Sequence, residues 1–273
     1  MAEDNIIKTT AEAVRGVVEA VPVYQDALQP AAKQVGRSLE VVARAINVAL
    51  APLTALVWGY DRISEYLNTR LAELLSHVPE ERIITPPPSV AGPLLEGMRF
   101  VAADAELREM FARLLATAMD SDSQPRALPA FVEILKQISA DEARILRYFE
   151  RVGFFPAPII TVRLVVQPVK TPAEPAMLIF APHRTSLTDK AEIAHRQLAT
   201  VYINNLCRLG VLATDYTARL ASSAYADIEN EPEIARYKHT EVSPEVRYEI
   251  LYGQIALTTL GEMLVTACVS SLE

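Results

Sequence analysis

The sequence predicts a mainly α-helical protein in which an N-terminal helical domain is followed by an α+β domain. Apolar residues recur at helical spacing through most of the first half, and prolines divide that half into short segments. The second half adds runs rich in branched residues between further helical patterns. Together these observations favour helices packed against a small sheet.

The domain organisation follows from where these patterns change. With 273 residues the chain is long enough for two ordinary domains. We predict an N-terminal arm over residues 1–20, a helical domain over 21–138, and a second domain over 139–273 that contains an inserted strand pair.

An uncharged run covers residues 45–59, between Arg44 and Asp61. As a helix it would extend about 22 Å, which is less than the roughly 30 Å of a bilayer's hydrocarbon core. We interpret it as a core helix bent at Pro52, with an oligomer interface or peripheral membrane contact as the alternatives. The candidate interaction surface consists of Leu53, Leu56, Val57, Trp58 and Tyr60.

Residues 61–75 predict an amphipathic helix, and the stretch 82–138 predicts a compact helical array. Prolines 86–88 are expected to exclude helix, because they remove three donors. Pro93 then opens a short helix, Asp104 caps the next, and Pro129 starts a third.

The second domain begins with a capping box at Ser139 and Glu142. Residues 159–166 and 177–180 predict a pair of strands or an extended arm. A helix over 191–209 is expected to end at Gly210, since glycine adopts the left-handed cap conformation.

The C-terminal part predicts a hairpin over 247–257 that turns near Gly253, followed by a helix from Thr259 with Glu262 completing a second capping box. Helix, helix, hairpin and closing helix is the order of a winged helix. The turns RLGVL at 208–212 and LTTLG at 257–261 resemble those of such domains.

A winged helix raises the alternative of DNA binding. Arg196, Asn204 and Arg208 on the predicted helix over 191–209 would be the base or phosphate contacts. The net charge of −8 argues against DNA binding, because proteins bind phosphates mainly through basic residues. Neither half is basic: residues 1–138 contain 13 basic and 18 acidic residues, and residues 139–273 contain 13 basic and 16 acidic residues. We therefore favour a protein-interaction or structural module over a DNA-binding one, and a nucleic-acid partner is not expected.

No local motif for catalysis, metal binding or cofactor binding is present. The four histidines are scattered, no paired Cys-x-x-Cys occurs, and the acidic loop DSDSQP at 120–125 lacks the glycine of a calcium loop. We expect no enzyme activity, no cofactor and no small-molecule substrate. The acidic start and two cysteines favour the cytoplasm, with both thiols acting as small hydrophobic groups.

Several segments carry a family resemblance. They are VPVYQD at 21–26, APL at 51–53, VWGYD at 57–61, the connection from VPEER at 78–82 to PPPSVAGP at 86–93, LREMFARLLATAM at 107–119, and PAFVEILKQI at 129–138. On these residues the chain resembles the Abi-alpha family of bacterial proteins associated with abortive infection. The resemblance implies a role in defence against phage in which the host cell is sacrificed or arrested, and it carries no catalytic residues.

Three functional hypotheses follow, of which the weakest is a hydrolase whose catalytic groups come together only in three dimensions. The first is a non-enzymatic intracellular protein of phage defence that acts by self-association, by binding a partner protein, or by contact with the inner face of a membrane. The alternative is a transcriptional regulator that binds DNA through the second domain.

Overall fold

The computed structural model describes residues 39–54, 61–101, 103–167 and 175–270, and they form an α+β structure. Helices pack against a five-stranded antiparallel sheet. The mixed composition is therefore as predicted, whereas the proposed arm over residues 1–20 lies outside the described part.

The first half is helical, and local signals set the ends of its helices. Asp104 accepts hydrogen bonds from the backbone N–H groups of Glu106 and Leu107 at 3.1 and 3.2 Å, which confirms the predicted cap. Pro129 occupies the first turn of its helix, where a missing N–H costs little. The helices are α1 (Leu39–Thr54), α2 (Asp61–Leu74), α3 (Pro88–Met98), α4 (Ala105–Met119) and α5 (Pro129–Leu135).

The second half alternates helices and strands. It opens with the predicted capping box, in which Ser139 and Glu142 bond each other's backbone N–H groups. The helices are α6 (Ala140–Arg151), α7 (Leu187–Lys190), α8 (Ala199–Arg208), α9 (Ala226–Glu229), α10 (Pro232–His239) and α11 (Thr259–Cys268), and the strands are β1 (Ala157–Val166), β2 (Ala176–Thr185), β3 (Leu212–Asp215), β4 (Glu241–Ser243) and β5 (Val246–Leu257).

The sheet has the strand order β2-β1-β5-β3, with β4 paired to one end of β5. Strands β1 and β2 pair antiparallel from Ile159 opposite Thr185 to Val166 opposite Ala176, so the predicted strand pair is confirmed. A register irregularity follows Ile160 and another follows Val162. These irregularities change which residues of β2 face each side of the sheet.

Both faces of the sheet are covered at the first half of β1. Ile159 belongs to the large core that joins helices α1–α8 and α11, whereas Ile160 belongs to a smaller cluster with Tyr225 and Ile228. Successive residues of a strand point to opposite faces, so a strand covered on both sides is apolar throughout. This explains the run of branched residues in β1.

Two helix starts differ from the prediction. Helix α3 begins at Pro88 rather than Pro93, because a proline is tolerated at the first helical position. Helix α8 begins at Ala199 rather than at residue 191. The backbone N–H groups of Ala194 and His195 donate to the side chain of Asp141, at 2.7 and 3.0 Å, and so hold residues 191–195 as a loop.

The predicted hairpin over 247–257 is wrong. These residues lie within the single strand β5, and Gly253 is an interior residue opposite Ile159 of β1. At the other end of that strand, Thr258 rather than Thr259 caps α11, since its Oγ1 accepts from the N–H of Gly261 at 3.0 Å. Glu262 therefore does not form the predicted capping box.

The uncharged run is described only in part. Residues 45–54 belong to α1, in which Ile46 and Leu50 are fully buried in the large core. Among the helices that the structure describes, none combines the length and the apolar character needed to cross a membrane.

Candidate interaction surface

Strand β2 lies at one end of the sheet and presents an unusually apolar edge. Within the described residues it pairs only with β1, so its second side has no strand partner. Residues 176–181 contain no charged side chain, and Pro182 then removes the next backbone donor. We call residues 176–181 the open edge.

Four consecutive side chains of the open edge are large, apolar and more than half exposed. The exposed fractions are 54% for Met177, 61% for Leu178, 70% for Ile179 and 53% for Phe180. Single exposed apolar residues are ordinary on a protein surface, but a contiguous apolar patch marks a site of association. An uncharged, apolar edge strand is also the kind of edge that proteins normally block with charge, because it can pair with another chain.

One face of the open edge continues into an aromatic group. The ring of Phe180 lies 5.3 Å from that of Tyr237 on α10 and 5.7 Å from that of Tyr248 on β5, both edge to face. The two tyrosine rings are 4.8 Å apart. Burial raises the pKa of Tyr237, so this hydroxyl is neutral at physiological pH. The surface beside Phe180 is thus extended by uncharged rings.

The other end of β2 is fixed by a small hydrogen-bonded ring. The backbone N–H of His183 donates to Oγ1 of Thr161 at 3.2 Å, and that hydroxyl lies 2.7 Å from Oη of Tyr216. The phenol oxygen lies 3.2 Å from Nδ1 of His183, which closes the ring. Burial lowers the pKa of His183, which favours the neutral imidazole that can accept at Nδ1.

The backbone near His183 also helps to fix this end of β2. His183 has φ of 52°, in the left-handed region, so the extended course of β2 changes directly after Pro182. Two residues on, Thr185 Oγ1 donates to the carbonyl of Pro158 on β1 at 2.7 Å. One end of β2 is therefore tied to the sheet, and the open edge is the part that remains accessible.

The described structure does not test the interaction surface that the sequence predicts. The backbone of Leu53 belongs to α1. The side chain of Leu53, and all of Leu56, Val57, Trp58 and Tyr60, lie outside the described residues.

The residues considered for DNA contact lie on α8 and just before it, and both arginines have partners within the protein. Arg196 lies before α8 and pairs with Asp189, whereas Arg208 is the last residue of that helix. Arg208 donates to Oδ1 of Asn205 at 2.7 and 3.1 Å and to Gln137 Oε1 at 3.1 Å. Asn204 is exposed on α8. The guanidinium groups are thus engaged in contacts within the protein.

The other polar candidates also have structural partners. Asp120 of the acidic loop is buried, and both of its oxygens accept from Arg82, at 2.9 and 2.7 Å. His183 and His195 belong to different hydrogen-bond networks. In the described ranges, no three His, Cys, Asp or Glu side chains are grouped as metal ligands. Cys268 is buried and Cys207 half-buried, both as free thiols.

The sequence contained one signal for the open edge that we did not interpret as a site. The run MLIF at 177–180 is uncharged and apolar, and it predicted a strand. Such a run is usually buried, whereas here it lies on the end strand of the sheet and is exposed.

Comparisons with known proteins agree with the family resemblance. The profile of the family described as abortive infection alpha matches residues 59–268, so it includes both halves of the described structure. The resembling segments at 21–26 and 51–53 precede the matched range. No curated protein matches the chain.

One similar solved structure comes from the hydrocarbon-degrading marine bacterium Alcanivorax borkumensis SK2, where it is described as an uncharacterized protein. It is 16% identical, with a TM-score of 0.34, and the similarity covers 54% of this chain and 96% of that one. The family match spans most of the sequence. The chain therefore belongs to the Abi-alpha family.

Proposed function

We propose that this protein acts in bacterial defence against phage, in an abortive-infection response, by pairing with a second copy of itself through the open edge of β2. Membership of the Abi-alpha family supports the role in an abortive-infection response. The observation that supports the mode of action is the uncharged apolar edge at residues 176–181. In this proposal the protein is cytoplasmic, performs no chemistry of its own, and signals or injures through its assembled form.

A second copy fits the open edge better than an unrelated protein, for a reason of symmetry. Two identical edge strands can pair antiparallel about a two-fold axis, so one surface supplies both sides of the interface. The chain carries a net charge of −8, which repels a second copy over most approaches. The open edge has no charge, so two copies can approach there without placing like charges together.

The size of the edge predicts a reversible dimer. Stable interfaces bury about 1,200–2,000 Å² in total. Six paired residues and the rings beside Phe180 form a short strip, so we expect an interface at the lower end of this range. Such a dimer dissociates on dilution, and association can therefore respond to the amount of protein in the cell.

The same backbone groups argue against insertion of the open edge into a membrane. An exposed strand edge carries N–H and C=O groups that need hydrogen-bond partners, and lipid supplies none. Pairing with a second strand satisfies those groups. A peripheral membrane contact and capture of another protein's strand are outcomes that the experiments below distinguish from pairing.

We also propose that the second half is a winged-helix-like interaction module. Helix α8 leads into β3, β3 pairs antiparallel with β5, and α11 follows β5. In this interpretation β1 and β2 are the inserted strand pair, and the insertion supplies the open edge. No contact with DNA forms part of the proposal.

A phage-survival experiment tests the function. Cells expressing wild-type protein, Ile179→Glu or Phe155→Glu are infected, and survival of the culture and release of phage are measured. Phe155 is the matched control, because it is also apolar and 71% exposed but lies outside β2. We expect protection by wild type and by Phe155→Glu, and loss of protection with Ile179→Glu.

Each contrary result is informative. No protection by wild type contradicts the defensive role itself. Protection by Ile179→Glu equal to that of wild type contradicts the role of the open edge. Immunoblotting for equal amounts of the three proteins excludes a difference in abundance as the cause.

A further inference from the structure

A second feature, separate from the open edge, is a cavity beside helix α6. It has a volume of about 350 Å³ and lies between that helix and the loop over residues 191–195. Small-molecule sites have volumes of about 300–1,000 Å³. The polar and aromatic side chains that line it are Glu106, Arg144, Arg147, Tyr148, Arg151 and Glu192.

The three arginines reach the cavity because of their spacing on α6. Residues 144, 147 and 151 follow one another at three and four positions, so they lie along one side of the helix. Three guanidinium groups thus line one small volume in an acidic chain of net charge −8. Guanidinium groups bind the oxygens of phosphate and carboxylate through paired hydrogen bonds.

The protein's own carboxylates satisfy these arginines unequally. Arg144 donates to Oδ1 of the buried Asp141 at 2.6 Å and lies 3.8 Å from Glu106. Arg147 pairs with Glu106, although 51% of its side chain is exposed. The described partners of Arg151 include no carboxylate.

Arg151 is held in place by uncharged contacts. Its Nη2 donates to the carbonyl oxygen of Lys190 at 2.6 Å, and its Cζ lies 5.6 Å from the ring centre of Tyr148. These contacts position the guanidinium at the cavity without neutralising its charge. A guanidinium has five N–H donors, so several remain for an anion.

We propose that this cavity binds a small molecule that carries a phosphate group, with Arg151 and Arg147 as its principal ligands. Arg151 contributes the uncompensated charge, and Arg147 turns from Glu106 to the phosphate. A small ligand fits better than a polyanion or an anionic membrane, because Glu192 lines the cavity and the chain as a whole is acidic.

Calorimetric titration of the full chain with inorganic pyrophosphate at low ionic strength tests the proposal. We expect saturable binding by wild type and a loss of affinity of at least about tenfold in Arg151→Gln and in Arg147→Gln. Exposed Arg126, after α4, supplies the matched control. Arg126→Gln removes the same charge elsewhere and is expected to bind as wild type does.

The variant Glu106→Gln distinguishes two roles of Arg147, as a ligand for phosphate or only as the structural partner of Glu106. Removing this carboxylate frees Arg147, so affinity for pyrophosphate is expected to rise, whereas a purely structural role predicts no gain. Thermal unfolding of each variant identifies any change that only destabilises the fold. With two arginine variants, the failure of one to fold leaves the other as the test.

Adenosine monophosphate and adenosine are titrated in parallel. If adenosine monophosphate binds more tightly than pyrophosphate, the ligand class is a nucleotide. If pyrophosphate binds more tightly, the cavity recognises the phosphate group alone. The proposal is overturned if wild type does not bind either phosphate compound, if adenosine binds as tightly as its monophosphate, or if Arg126→Gln loses as much affinity as Arg151→Gln.

Discussion

The ring of Tyr216 lies directly against the backbone of Gly253. A Cβ atom at residue 253 would be 2.8 Å from Cδ1 of that ring and 2.6 Å from the carbonyl oxygen of Asp215. Because residue 253 has no side chain, Tyr216 can lie close to β5 while its hydroxyl contacts Thr161 on β1 and His183 on β2. This close approach links the two ends of the sheet.

Gly253→Ala is therefore expected to destabilise the protein by about 1–3 kcal/mol, the usual cost of overpacking. The backbone oxygen of Asp215 cannot move away as a flexible side chain would. Urea unfolding measures the effect. Gly92→Ala in α3 is the matched control, since nothing lies within 4 Å of its added Cβ.

The control is expected to be neutral or to raise the free energy of unfolding by up to about 1 kcal/mol, because alanine favours helix over glycine. Equal stability of Gly253→Ala and wild type would show that Tyr216 does not require the missing side chain.

The buried carboxylate of Asp141 is predicted to contribute strongly to stability, because it connects α6 with the loop before α8. It accepts from Ala194, His195 and Tyr202, the last at 3.1 Å. Asp141→Asn is expected to cost about 3 kcal/mol or more, since a buried, hydrogen-bonded charge is lost. Asp227→Asn, at an exposed ion pair with Lys190, is expected to cost less than about 1 kcal/mol.

Asp141 also predicts how the free energy of unfolding changes at acidic pH. Burial, the largest effect, raises the pKa of Asp141, but the N–H donors of Ala194 and His195 and the other hydrogen bonds outweigh it and lower the pKa to about 2. Because the folded pKa is depressed, the stabilisation is present above about pH 4 and is lost as the pH falls towards 2. Stability curves of wild type and Asp141→Asn that stay parallel through this window would contradict the assignment.

His183 predicts a second pH dependence in a different range. Burial lowers its pKa, so between the folded and unfolded values the unfolded chain binds more protons. Stability is therefore expected to fall as the pH drops below about 6.5, by up to about 1.4 kcal/mol per pH unit. Protonation would also remove the acceptor that Nδ1 offers to Tyr216.

The comparison is made with His183→Asn, because asparagine tolerates the left-handed backbone at this residue. The free energy of unfolding is measured from about pH 7.5 to about pH 5.5. Wild type should lose more stability than the variant over this interval. An identical slope for both proteins would exclude His183 as the titrating group.

Local signals made much of the helical framework predictable. Asp104 and Ser139 cap helices through hydrogen bonds to residues two or three positions away, and Pro129 fixes its own backbone angle. Such interactions are contained in a few neighbouring residues, so the sequence displays them directly. The family segments lie largely on the same framework.

The errors arose where distant residues decide the local structure. Residues 191–195 look helical, but the carboxylate of Asp141 binds the N–H groups of Ala194 and His195. Gly253 looks like a turn, but it makes room for Tyr216. The position of Ile179 on an end strand is likewise set by the order of the strands, which no short segment encodes.

The central claim is that two copies associate through residues 176–181, and sedimentation velocity across the micromolar range tests it most directly. We expect wild type and Phe155→Glu to change from monomer to dimer as the concentration rises, and Ile179→Glu to remain monomeric. A wild type that is monomeric throughout this range, or an Ile179→Glu variant that dimerises as readily as wild type, would contradict the claim.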